Sequence, residues 1–210
     1  MTTTALPVVL YGSQLEPLLS APRIPELGAG TPVFEVRDTV TGLLHDGHFA
    51  GQPIRDHDMA HACMAGLWLR FNYLDESHAI SQELHNPTGS FWHAIMHRRE
   101  GDFGNSKYWF RQVGRHEVIE KLAGAAAQVA QTLKLTSAGL PLEVSILTEM
   151  GNWDPFRFVD LCESTVRGRC DAVQFCRFVQ FFEWEHLFLY CYTRAIDVTK
   201  ILSKPDKPTD

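Results

Sequence analysis

Histidine and glutamate side chains recur at helical spacing in the middle of the chain. His93, His97 and Glu100 are four and three residues apart, which places them on one narrow stripe of a helix. Neutral imidazole and carboxylate groups that converge from a rigid element are what a bound metal ion requires. The pattern therefore predicts a metal site, although a solvent-exposed polar stripe opposite the apolar Phe91 and Ile95 would have the same spacing.

Two further segments carry candidate ligands. His57 and His61 fall on the apolar face of a predicted helix, where a polar group needs a partner. Glu183 and His186 have the i, i+3 spacing of helical-bundle di-iron sites, but a buried glutamate–arginine pair explains the glutamate equally well. The preferred ligands are His61, His93, His97 and Glu100, with His57, Glu183 and His186 in reserve. Such an imidazole-rich set suits a divalent transition metal, with Zn, Fe, Ni and Cu not distinguished.

His78 is the candidate general acid or base. It follows the acidic residues Asp75 and Glu76, and histidine is the usual acid–base group of enzymes because it exchanges protons near neutral pH. A histidine with a purely structural role is the competing interpretation. We predict a catalytic role for His78.

The segment 98–115 combines positive charge with aromatic rings. Five basic residues stand against two acidic ones, in a chain whose formal net charge is −6. Guanidinium groups match carboxylate and phosphate geometry, and aromatic rings can wall a pocket beside them. The predicted substrate-binding residues are Arg98, Arg99, Lys107, Tyr108, Trp109 and Arg111. A surface loop held by ion pairs, each worth little, is the alternative.

These patterns favour a metal-dependent enzyme, a hydrolase or an oxidoreductase, that acts on a small anionic molecule. Two alternatives stay open. One is a metal-free small-molecule binding or regulatory protein that uses segment 98–115. The other is a structural or protein-interaction domain whose histidines are core residues. The enzyme hypothesis requires His61 to approach His93 and His97 within about 5 Å, the span of two ligands on one metal.

Helices are the elements that would position these side chains. Apolar periodicity and capping residues predict helices near 33–45, 57–84, 88–100, 117–134, 142–150, 154–167 and 171–200, with a loop or broken helix over 101–114. The last helix is apolar on nearly every face, which is typical of a central helix. We predict an all-α, single-domain helical bundle, with an irregular N-terminal arm over 1–32, a helical domain over 33–200 and a disordered tail over 201–210.

Composition narrows the class of protein. The hydrophobic share of 45% and charged share of 21% are those of a globular protein. The net negative charge argues against a nucleic-acid partner. Five cysteines without a Cys-x-x-Cys pair favour buried thiols in a reducing compartment. With no signal-peptide pattern and no long apolar run, we expect a cytoplasmic protein without a membrane partner, and a homo-oligomer remains open.

Overall fold

The computed structural model describes residues 11–136, 141–149 and 151–202. Within these residues the helices are α1 Gly12–Leu19, α2 Arg37–Thr41, α3 His57–Arg70, α4 Leu74–Ser81, α5 Pro87–Glu100, α6 Phe103–Val113, α7 Glu117–Thr136, α8 Leu142–Glu149, α9 Pro155–Val166, α10 Val173–Ala195 and α11 Thr199–Leu202. A 3-10 turn covers Phe34–Val36, and the strands are β1 Leu44–His45, β2 His48–Phe49 and β3 Gln52–Pro53. The predicted all-α, single-domain helical fold is confirmed.

The helix α10 lies at the centre of the fold. It packs against α3, α7 and α9, and Phe175, Phe181 and Phe188 along it are almost completely buried. The indole nitrogen of Trp184 donates a hydrogen bond of 2.7 Å to the carbonyl oxygen of Gly66 in α3. The expectation of a central apolar helix near the C-terminus is thus confirmed, because a helix that is apolar all round can be covered only by neighbours on several sides.

The segment predicted as one helix over 57–84 is two helices. The helix α3 ends at Arg70, and the chain turns through Asn72, whose φ of 66° is in the left-handed region that asparagine tolerates. The Asn72 side chain holds this turn, since its amide nitrogen donates to Thr31 and its oxygen accepts from Arg99. The turn redirects α4, which packs against α5 and carries His78 toward it.

The helices α5 and α6 form an antiparallel hairpin. The side chain of Asn86 caps α5, and Gly101 ends this helix with a φ of 94°. The side chain of Asp102 caps α6 by accepting from the backbone N–H of Asn105 at 3.0 Å. The prediction of a loop or broken helix over 101–114 is therefore wrong. Its glycines suggested an interruption, whereas the capping signal of Asp102 was the stronger one.

The predicted helix over 33–45 is also shorter than expected. After α2 the chain forms a small antiparallel sheet in the order β1-β2-β3. Asp46 and Gly47 both have positive φ and form the two-residue connection between β1 and β2. Asp-Gly is a typical sequence for such a hairpin, so the sequence contained a signal for the turn.

The N-terminal arm is irregular between α1 and residue 33, and arginine side chains hold it to the helices. The guanidinium of Arg99 donates to the carbonyl oxygen of Gly28 at 2.8 Å, and that of Arg177 donates to Pro25 at 2.8 Å. Arg70 binds the arm in the same way. Residues 1–10 and 203–210, and with them most of the predicted disordered tail, lie outside the described residues.

Among the helices of the described chain, none has both the length and the apolar character needed to cross a membrane.

Candidate metal centre

Three imidazoles meet where α4 packs against α5. His93 and His97 lie one turn apart on α5, and His78 approaches both from α4. Each residue offers a ring nitrogen, and the three nitrogens lie within 4.8 Å of one another. The ring centroid of His78 is 4.7 Å from that of His93 and 5.4 Å from that of His97. This cluster could hold a metal ion.

His93 is the most unusual member of the cluster. Its side chain is 2% exposed, and its Nδ1 atom has no hydrogen-bond partner among the described residues. One face of the ring stacks on the indole of Trp109, with centroids 4.0 Å apart. Burial lowers the pKa of His93 to about 3, and His97 and His78 add to the shift. The imidazole is therefore neutral at pH 7, as a metal ligand must be.

His97 has partners on both ring nitrogens. Its Nδ1 lies 2.9 Å from Oε2 of Glu100, and its Nε2 lies 3.0 Å from the amide nitrogen of Asn105. Because the amide can only donate, Nε2 accepts and Nδ1 donates its proton to the carboxylate. Burial lowers the pKa of His97, and Glu100 opposes that shift. The result is a neutral tautomer whose lone pair, on Nε2, accepts from Asn105.

The spacing of the three nitrogens is slightly wider than a bound ion requires. Ligands at 2.0–2.1 Å from one tetrahedral ion stand about 3.4 Å apart, whereas the cluster spans up to 4.8 Å. The widest-spaced nitrogens must therefore approach by about 1.4 Å on metal binding, a shift within the reach of side-chain rotation. His78 is half-buried, so it has the most freedom to move.

The structure brings only some of the predicted ligands together. His61 is half-buried, and its Nδ1 bonds to the carbonyl oxygen of His57 at 2.8 Å. His57 is exposed, and His186 lies beside Phe182 in α10. None of these three histidines belongs to the cluster described above. The predicted approach of His61 to the α5 histidines is wrong, because the turn at Asn72 sends α4 to that face of α5.

Glu183 is engaged elsewhere. Its carboxylate pairs with the guanidinium of Arg98, and both side chains have no exposed surface. Arg98 also donates to the side-chain oxygen of Gln180 at 3.3 Å and lies over the ring of Phe158. Both the predicted metal role of Glu183 and the predicted substrate contact of Arg98 conflict with this geometry, because the pair is closed inside the core.

The other predicted substrate-binding cations are also occupied. Arg99 is buried and donates to the N-terminal arm, Lys107 pairs with Asp160, and Arg111 lies over the ring of Phe156. Besides burial, the neighbours that shift the pKa of His93 are His97 and His78, and those that shift the pKa of His97 most are Glu100, His78 and Asp102. The basic character of segment 98–115 therefore does not converge on the cluster.

Tyr108 and Trp109 line a surface depression beside the cluster. Its wall also includes Leu84, Asn86, Ser90 and Gln112. None of the lining residues is aspartate, glutamate, lysine or arginine, and the single histidine among them, His85, is exposed. The aromatic part of the predicted pocket thus exists without the predicted arginines.

Asn105, which bonds to His97 of the cluster, is a site residue that the sequence did not suggest. It lies four residues before Trp109 on α6, so the two side chains share a helix face. Had Asp102 been taken as a helix cap, that spacing would have placed both residues opposite His93 and His97. No protein-family model, curated protein or solved structure matches the chain, so the functional argument rests on this geometry.

Proposed function

We propose that the chain is a metal-dependent enzyme whose centre is one divalent transition-metal ion held by His78, His93 and His97. The observation that carries the proposal is the unpaired Nδ1 of His93, buried within a cluster of three imidazoles. A buried polar atom without a partner costs about 1–3 kcal/mol. Coordination of a metal ion by the lone pairs of this cluster would account for a fold that buries this unpaired nitrogen.

Two features favour a catalytic ion over a structural one, and a third, the support of His97 by Glu100, is common to both kinds of site. Structural zinc sites are closed by four protein ligands, whereas catalytic sites use three and keep one position for water or substrate. His78 is half-buried, so the cluster lies near solvent. Glu100 fixes the ring of His97 through Nδ1, as the carboxylates that support metal-bound histidines do.

The chemistry of such a centre follows from its ligands. Three neutral imidazoles leave the double positive charge of the ion uncompensated, so a bound metal would polarise an oxygen ligand strongly. Glu100 would hold the proton of His97 Nδ1 and keep Nε2 available. Asn105, now 3.0 Å from that nitrogen, is placed to donate to an oxygen atom bound next to His97. Hydrolysis of a small molecule is the reaction that this arrangement supports best.

Metal uptake by matched histidine variants tests the proposal. Purified protein would be titrated with Co²⁺ and followed by visible absorption, with metal content measured in parallel. We expect one ion per chain in the wild type, strong loss of binding in His78→Ala and His93→Ala, and full binding in the control His61→Ala. Circular dichroism checks that each variant is folded. If His93→Ala does not fold, His78→Ala still tests the proposal, because His78 is only half-buried. Uptake that is absent from the wild type, or unchanged in folded His78→Ala, would refute the proposal.

A metal-free small-molecule binding protein is the second candidate. The depression beside Tyr108 and Trp109 favours it, because that surface does not depend on an ion. A folded wild-type protein that takes up no Co²⁺ or Zn²⁺ would leave this candidate in place.

A further inference from the structure

The depression beside Tyr108 forms a groove between α5 and α6, and two histidines of the candidate metal centre lie on the same α5. The two helices run antiparallel, and their facing side chains form successive pairs. His97 contacts Asn105, and one turn away His93 stacks on Trp109. The next positions along the same two stripes are Ser90 on α5 and Gln112 on α6, three residues from His93 and Trp109 respectively.

Gln112 is exposed at the surface, whereas Ser90 is buried. Ser90 and Gln112 both line the depression beside Tyr108, and Trp109 belongs to the depression and to the histidine cluster alike. A molecule in the depression therefore rests against the residue that covers His93. Trp109 is thus the wall that the depression shares with the histidine cluster, which makes the depression a candidate place for the part of a substrate that does not react.

The side chains of the depression determine what it can bind. Hydroxyl and amide groups of Ser90, Asn86 and Gln112 offer both donors and acceptors, and the rings of Tyr108 and Trp109 offer flat apolar surface. No charged lysine, arginine, aspartate or glutamate lies in the wall. A formal charge on the ligand would thus enter the depression without a counterion.

The nearest charges at the cluster are negative. Glu100 bonds to His97 and its side chain is 54% exposed, and the negative charge of Asp102 acts to raise the pKa of the same imidazole. Arg98, Lys107 and Arg99 are committed to Glu183, Asp160 and the carbonyls of the N-terminal arm, respectively. The negative charges of Glu100 and Asp102 would therefore repel an anionic substrate that approaches this face.

We infer that the site acts on an uncharged, hydrogen-bonding small molecule that lies over Trp109 in the α5–α6 groove. This inference rests on the proposed metal centre and replaces the anionic substrate that the sequence indicated. A metal held by His78, His93 and His97 would polarise the reacting carbonyl or similar oxygen. The neutral remainder of the molecule stacks on the aromatic wall and exchanges hydrogen bonds with Ser90 and Gln112.

Three probes that differ only in their terminal group, which is neutral, negative or positive, test the substrate class. Each has a hydroxamate group for the metal on a two-methylene chain, and the chain ends in a carboxamide, a carboxylate or an ammonium group. Their dissociation constants are measured on the Co²⁺-loaded protein from the change in visible absorption. We expect the carboxamide to bind at least 10-fold more tightly than the carboxylate, and the ammonium probe to bind no more tightly than the carboxamide.

Two neighbouring variants on α6 localise the effect. Gln112→Ala should weaken the carboxamide probe by about 5-fold without changing Co²⁺ affinity, since Gln112 lines the depression. Arg111→Ala is the matched control, because Arg111 faces Phe156, and it should leave every dissociation constant within twofold.

The outcomes separate the two proposals. Failure to bind Co²⁺ refutes the metal centre itself. Normal Co²⁺ binding with equal or tighter binding of the carboxylate probe, lost in Arg111→Ala, overturns the inference and restores an anionic substrate. A preference of more than 10-fold for the ammonium probe overturns it in favour of a cation. Carboxamide binding that is unchanged in Gln112→Ala refutes the placement in the groove.

Discussion

Replacing Arg98 with methionine removes the guanidinium that pairs with Glu183 in the core. Both side chains have no exposed surface, so water cannot take over the lost contacts. Arg98 donates two hydrogen bonds to the carboxylate and one to Gln180. The Arg98→Met variant would bury an unpaired carboxylate, or a proton would have to bind to it at a cost in free energy.

The expected loss of stability follows from these contacts. A hydrogen bond to a charged group contributes about 1.5–3 kcal/mol, and two such bonds to Glu183 are lost. Breaking one partner out of a buried ion pair costs about 3–5 kcal/mol, in agreement with that sum. For a chain of this length each kcal/mol lowers Tm by roughly 2–4 °C. We therefore expect a fall in Tm of roughly 6–20 °C.

A double-mutant cycle measures the coupling. The free energy of unfolding would be measured by urea titration for wild type, Arg98→Met, Glu183→Leu and the double variant. The loss in free energy of unfolding in the double variant should be smaller than the sum of the two single losses by about 2 kcal/mol or more. The reason is that neither charge is then left without its partner. Additive effects, or a loss under about 1 kcal/mol in Arg98→Met, would refute the reasoning. Folded Glu183→Leu should also bind Co²⁺ normally, whereas a ligand role would abolish binding.

Two further predictions concern the histidines. Glu100→Gln should lower metal affinity by about 10–100-fold in a competition titration, since it weakens the support of His97; the exposed Glu83→Gln control should have no effect. For His116, which is 7% exposed, burial lowers the pKa from 6.5 to about 4. The unfolded chain binds the proton more readily between these values, so the free energy of unfolding should fall by about 1–3 kcal/mol as the pH drops from 6.5 to 4. Urea titrations of wild type and His116→Gln should show a shallower pH dependence in the variant; parallel curves would contradict this.

The sequence predicted the elements whose signals are local. The helix α9 begins after the Asp154-Pro155 pair, and α7 follows its apolar periodicity from Glu117. The break between α3 and α4 was missed because nothing near Asn72 disrupts the apolar pattern. The turn is held by Thr31 and Arg99, which are 41 and 27 residues away. Contacts at that separation are decided by the tertiary fold and not by local propensity.

The same limit applies to the candidate site. The spacing of His93 and His97 predicted two members of the cluster, since one helix positions both. The third member depended on the direction of α4, and so His61 was preferred to His78 as a ligand. The charges of Arg98 and Arg99 were visible in the sequence, but their partners lie 85 and 71 residues away along the chain. The number of cations in a segment does not show whether they line a substrate pocket, form an ion pair in the core or hold the N-terminal arm.

The role of His93 can be tested by measuring how much its imidazole lowers the free energy of unfolding of the metal-free protein. A leucine there would pack against Trp109 without an unpaired Nδ1. Since an unsatisfied buried group costs about 1–3 kcal/mol, His93→Leu should raise the free energy of unfolding of the metal-free protein by up to that amount. Excess Zn²⁺ should stabilise the wild type by RT ln(1 + [Zn²⁺]/Kd) and leave the variant unchanged. A variant that is less stable than the metal-free wild type would show that the imidazole serves the core, and the case for a ligand at this position would then fail.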